Sequence, residues 1–202
     1  MRITSNSTHA EMEATFLRDE LTSRRLGPLV ERQLMLRHKD RALIEHSDVT
    51  NDADNRCRHE ILLGYRGPGC WVDLFSTLPN DIAWKRAVLT REDLGRIKYV
   101  REVPWISFSD GTRHVVDGAS AVRSGRGIAD MSPEVFWNTA EAIKAGKPMG
   151  KPILVGRDET DDLVLLEGHQ RMTAYCLLGD DVPNEIGVVV GFSPRINEWA
   201  FY

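Results

Sequence analysis

Cysteine is scarce in this chain: Cys57, Cys70 and Cys176 are the only three in 202 residues. Three thiols build no paired framework, which excludes a small disulfide-stapled fold. Cys57 and Cys70 flank His59, but no fourth ligand follows at a recognised zinc spacing, so a structural zinc site is disfavoured. Long apolar runs are missing too. None approaches the roughly 20 residues a bilayer-spanning helix needs, and the start lacks a charged-then-apolar signal pattern. A cytoplasmic protein without membrane partners is expected. Excess positive charge is also absent, the formal net charge being −4. Duplex-binding domains are usually basic, because phosphate neutralisation dominates their affinity. DNA is therefore a disfavoured partner, although a local basic patch stays open.

What is present is a globular composition, 42% apolar and 28% charged, on a chain long enough for one well-cored domain and a small appendage. The most informative stretch spans residues 163–179. It opens with Leu163-Val164-Leu165-Leu166, too short for a lone helix and suited to a strand buried on both faces. It turns through Glu167-Gly168, continues with Met172, Tyr175 and Cys176 near helical spacing, and stops at Gly179. Strand, glycine turn, helix is the expected order. A helix start presents unpartnered amide N–H groups and partial positive charge, and a glycine lets a ligand approach the backbone. With His169 and Arg171 alongside, the junction suits an anion, most often a phosphate. The competing reading is a buried strand-turn-helix whose His169 and Arg171 are merely solvated. Cys176 falls in the apolar pattern and reads as a small buried hydrophobe.

Residues 1–7 read as frayed, with Ser7 or Thr8 capping a helix that buries Met12, Phe16, Leu17 and Leu21. Gly27-Pro28 opens a second helix running to Ile44, and residues 45–57 form a polar loop or boundary. Ile61-Leu62-Leu63 reads as a strand, residues 71–75 as a strand or helical turn, and residues 81–89 as a strand. Thr90 and Asp93 make a capping box before a short helix. Residues 103–108 read as a strand and 115–122 as a short helix. Arg123 and Arg126 fall in a flexible basic loop. Ser132-Pro133-Glu134 is a strong helix start. Strands follow at 153–155 and 185–190. The aromatic end, Trp199 to Tyr202, docks on the core or on a second subunit as a homodimer contact.

Lys151-Pro152-Ile153-Leu154-Val155, the stretch from Leu163 to Gly179 and Glu185-Ile186-Gly187-Val188-Val189-Val190 together resemble the ParB/sulfiredoxin-fold superfamily. Its usual pattern is PI-V, then (D/E)GxxR-xA, then P-V. The resemblance covers roughly residues 104–191, and its specific element is the GxxR turn. Partition proteins carry Gly-Glu-Arg-Arg where this chain has Gly168-His169-Gln170-Arg171. Sulfiredoxins place their catalytic cysteine where His169 stands, so that activity is not expected. The (D/E)GHxR form is more similar to the free-serine-kinase branch.

The resemblance implies an α+β fold: a ParB/sulfiredoxin-like mixed sheet with flanking helices, preceded by a helical and α+β extension. The expected segments are 1–57 (helical), 58–103 (α+β extension) and 104–202 (core with aromatic tail). The function it implies is ATP- or other nucleotide-dependent phosphoryl transfer to a small molecule, or nucleotide hydrolysis, with Mg²⁺. Gly168, His169, Gln170 and Arg171 would hold the phosphates, and Arg113 would reach the same anion. Glu167 or Asp110 would hold the metal or accept a proton from an acceptor hydroxyl. His169 either assists phosphate binding and proton transfer or is structural, and for Asp110 an ordinary Asp-Gly turn is the favoured reading. The runner-up is a ParB-like regulator that binds DNA or a protein, with nucleotide as a switch and Arg123, Arg126 and Arg195 on a basic face.

Overall fold

Runs of Ile, Leu and Val set the centre of the sheet. Three such runs are β4 (Ile153–Gly156), β5 (Leu163–Glu167) and β6 (Ile186–Phe192). All of β4 and the first four residues of β5 are buried, as expected of strands covered on both faces. The computed structural model describes residues 1–70 and 72–202. Three further strands, β1 (Arg2–Asn6), β2 (Ala83–Leu89) and β3 (Ile97–Lys98), complete a six-stranded mixed sheet in the order β1-β2-β6-β4-β5-β3. β6 pairs with β4 in parallel and with β2 antiparallel, β4 and β5 are antiparallel, and β3 joins β5 in parallel.

The chain divides into two units. The first comprises residues 1–6 and 79–202, and the second residues 7–78. In the first, the sheet is flanked by α5 (Val103–Phe108), α6 (Val115–Arg123), α7 (Pro133–Lys144) and α8 (His169–Leu177). α8 packs on both α6 and α7. Phe108, Val115, Phe136, Leu154, Leu165, Met172 and Val188 share its core. The second unit is helical: α1 (His9–Leu21), α2 (Gly27–Leu36), α3 (Ala42–Glu45) and α4 (Asp52–Arg66), with α1, α2 and α4 in mutual contact. Among the described residues no helix is long and apolar enough to cross a membrane.

The α+β class with a mixed sheet and flanking helices is as expected, and several local readings are corrected. Residues 1–7 are not frayed, because β1 pairs with β2. Its pattern is almost wholly exposed, so no apolar alternation marked it. The helix expected to run to Ile44 breaks after Leu36, where His38 takes φ 54°. Residues 45–57 are not simply a loop: Asn51 accepts hydrogen bonds from the Ala53 and Asp54 amides and starts α4. Ile61, Leu62 and Leu63 lie inside that helix rather than in a strand. Residues 103–108 are likewise helical, with Pro104 in the first turn. Of the strand or turn read at 71–75, Trp71 lies outside the described residues, and 72–75 carry neither strand nor helix. The unit boundaries fall at 6/7 and 78/79 instead of 57/58 and 103/104.

The Thr8 cap, the Thr90–Asp93 capping box and the Ser132-Pro133 helix start all form where the sequence places them. The aromatic tail docks within its own chain. Trp199 is buried, the Arg101 amide donates to Phe201 O, and the Tyr202 hydroxyl donates to Asp161.

Candidate functional site

β5 delivers Glu167 to the end of the sheet, and the chain then reverses into α8 through Gly168. That glycine is the α8 N-cap, at φ 99° and ψ 20°, a left-handed conformation that side chains resist. A Cβ there would stand 2.9 Å from Pro152 Cβ, so the turn is pressed against the residue that leads into β4. A glycine N-cap brings no side-chain oxygen to the first-turn amides, which favours an outside acceptor.

Four of the expected residues ring this turn, each with a different neighbour. Arg171 Nη2 donates to Glu167 Oε1 at 3.1 Å, and the two side chains are 14% and 24% exposed. Gln170 Nε2 donates to Thr139 Oγ1 on α7 at 2.6 Å. His169 turns into an aromatic stack. Its ring lies 4.7 Å from Trp105 at 28° and 6.0 Å from Tyr99 at 8°, and Tyr99 and Trp105 themselves stack at 4.7 Å. Tyr99 Oη and Thr173 Oγ1 are 2.6 Å apart, and Thr173 Oγ1 donates to His169 O. Burial holds the Tyr99 phenol well above its ordinary range, so it stays a neutral hydrogen-bonding group.

Two expected residues belong elsewhere. Arg113, at φ 68°, donates to Tyr99 O from Nε and Nη2 at 2.9 and 2.7 Å, to Phe201 O and to the backbone oxygen of Tyr202. It clamps the tail against the segment after β3, and burial lowers its pKa from the usual arginine value. Asp110 sits in a turn at φ 51° and accepts both Arg126 Nη1 and Nη2, at 2.7 and 2.9 Å. That hydrogen bonding holds its carboxyl below the ordinary aspartate value. Asp110 is thus a turn residue in an exposed ion pair, as the Asp-Gly alternative had it.

The residues that sequence reasoning missed are Tyr99, Trp105 and Thr173, which seat His169. Trp105 sat in a stretch read as a strand, and nothing local in the sequence pairs it with a histidine 64 positions on. Cys176 is buried, and burial pushes its thiol up to about 12, which leaves almost no thiolate at neutral pH. Arg123 is a helical residue of α6 rather than part of a loop, and it donates to Cys176 O at 2.6 Å near the end of α8.

Glu167 is a carboxylate at the turn that could meet a cation. Mg²⁺ is commonly held by one or two carboxylates together with substrate phosphates. The donors present therefore suit it only when a phosphate supplies the remaining ligands. No family model, no curated protein and no solved structure matches this chain.

Proposed function

We propose that this protein binds a nucleotide with Mg²⁺ at the start of α8 and transfers or hydrolyses its terminal phosphoryl group, acting on a small molecule in the cytoplasm. The observation that carries the reading is the β5–Gly168–α8 junction, a left-handed glycine that opens a nine-residue helix beside Glu167 and Arg171. Phosphoryl transfer asks for positioning and charge neutralisation, both of which a helix start and a guanidinium supply. In this reading Arg171 swings from Glu167 to the phosphates. The Glu167 carboxylate then takes a proton from the acceptor hydroxyl or meets the metal. Bound Mg²⁺ would neutralise phosphate charge. The mixed sheet and the (D/E)GHxR turn support a ParB/sulfiredoxin-like fold, and three free cysteines fit a reducing compartment.

The regulator reading loses ground at its arginines. Arg123 is spent on a helix carbonyl, Arg126 on Asp110 and Arg195 on Glu198. DNA retention at physiological salt would reverse that ranking.

A thermal-shift series with ATP, ADP and CTP, each with Mg²⁺, tests the proposal, because a ligand of the folded state raises Tm. No shift at millimolar nucleotide sinks it. Arg171→Ala should weaken nucleotide binding by about ten- to a hundredfold, the cost of a charge-assisted contact of roughly 1.5–3 kcal/mol. A purely structural Arg171–Glu167 pair predicts lower Tm with affinity unchanged.

A further inference from the structure

The helical unit of residues 7–78 holds a cluster with different chemistry. His9 and Glu13 stand four apart in α1, so their side chains share one face of the helix. α4 packs on α1 and brings His59 to the same place. Glu13 Oε1 lies 2.6 Å from His59 Nδ1 and 3.1 Å from His9 Nε2. One ligand-capable atom from each residue falls within 4.8 Å of the others. The two imidazoles meet edge to face, with ring centroids 6.4 Å apart.

Burial makes the cluster more than a surface ion pair. Glu13 is 3% exposed, and a carboxylate taken that far from water is costly unless charge compensates it. Among the described residues its hydrogen-bonding partners are the two imidazoles. The neighbouring cation, Arg58, gives its guanidinium to Leu43 O, Asp48 O and Asn55 Oδ1. Both histidine side chains are half exposed, so one side of the cluster faces solvent.

Two imidazoles and a carboxylate form a donor set that zinc and its first-row neighbours accept. Paired ligands at i and i+4 on one helix, with a third from elsewhere, are a recurrent way to build such a site. With metal–ligand bonds of about 2.0–2.2 Å, tetrahedral donors stand roughly 3.3 Å apart. The His9–Glu13 separation already meets that spacing, and the His59–Glu13 contact has to open by only about 0.7 Å. We propose that His9, Glu13 and His59 bind a divalent first-row cation, zinc foremost, in a three-ligand site with a fourth position open to solvent. The ion compensates the buried carboxylate and ties α1 to α4.

The full-length chain, stripped with a chelator, is titrated with Zn²⁺ by calorimetry and with Co²⁺ as an absorbing probe. One ion per chain is expected, with Tm rising as metal is added and visible Co²⁺ bands free of thiolate charge transfer. Mg²⁺, which prefers oxygen donors, should produce no shift at this site. His9→Ala and His59→Ala each remove a half-exposed ligand and should lower Zn²⁺ affinity by at least about a hundredfold, more than loss of an outer-shell partner does. Circular dichroism checks that both variants stay folded, so the test does not depend on removing the buried Glu13. The proposal is overturned if the wild type binds no zinc at micromolar concentration. It is equally overturned if both histidine variants bind like wild type, or if Co²⁺ shows thiolate bands that move the ion to Cys57 and Cys70.

Discussion

At Gly168 two separate constraints meet: a left-handed φ of 99° and the Pro152 ring, which an added Cβ would approach to 2.9 Å. Gly125 shares the first constraint, at φ 83°, but has open space around it. Gly125→Ala should therefore cost only the backbone penalty, roughly 1–2 kcal/mol. Gly168→Ala should cost more, about 2–4 kcal/mol, because the clash adds to it. Urea denaturation of the two variants checks this, and equal losses would remove the Pro152 contact as a cause. The glycine itself was legible, since it separates a buried apolar run from a helical pattern. Pro152 was not, because only strand pairing brings it there. Arg113 shows the same limit more sharply. The resemblance implies an anion beside it, but its partners are backbone oxygens, Tyr99 O and those of a tail 88 and 89 positions away.

α4 is the element where local and tertiary signals compete most. Ile61-Leu62-Leu63 taken alone resembles a strand, yet the buried positions Arg58, Ile61, Leu62 and Tyr65 follow helical spacing. The pattern was hidden because its first member is an arginine. Arg58 is 1% exposed and fastens α4 to the segment around α3 through two acceptors, Leu43 O and Asp48 O, while Asn55 Oδ1 of α4 itself is a third. Arg58→Ala removes three hydrogen bonds from a charged donor and leaves a gap where its buried side chain packs, and should cost at least about 2 kcal/mol. Arg56→Ala, two positions away and exposed, should stay within about 0.5 kcal/mol of wild type. Similar urea midpoints for the two variants would show that Arg58 is not what joins these segments. α5 was misread for a related reason: Val103, Trp105, Ile106 and Phe108 favour strands, and Pro104 in the first turn tips the segment to helix. The metal cluster was hidden by sequence distance. Cys57 and Cys70 drew attention to His59, whereas its partners lie on α1, with His9 and Glu13 at i and i+4 as the one local signal.

In the whole molecule, residues 7–78 enter the chain between β1 and β2, two antiparallel neighbours in which Asn6 stands opposite Lys85. Insertions are tolerated best where chain ends come together at a hairpin, because the host strands pair without them. Joining Asn6 directly to Pro79 would leave residues 79–82 as the connection between β1 and β2, within the ordinary length of a hairpin loop. The shortened chain is expected to keep the six-stranded sheet, with strand and helix signals in circular dichroism and one cooperative urea transition. It should also keep any nucleotide-induced rise in Tm, since the Gly168 turn and Arg171 lie in the retained unit. It should lose the zinc response completely, because His9, Glu13 and His59 all leave with the insert. A deleted chain that is unfolded in buffer would show that the first unit depends on the second. A folded one that still takes up zinc at wild-type affinity would instead place that ion outside the helical unit.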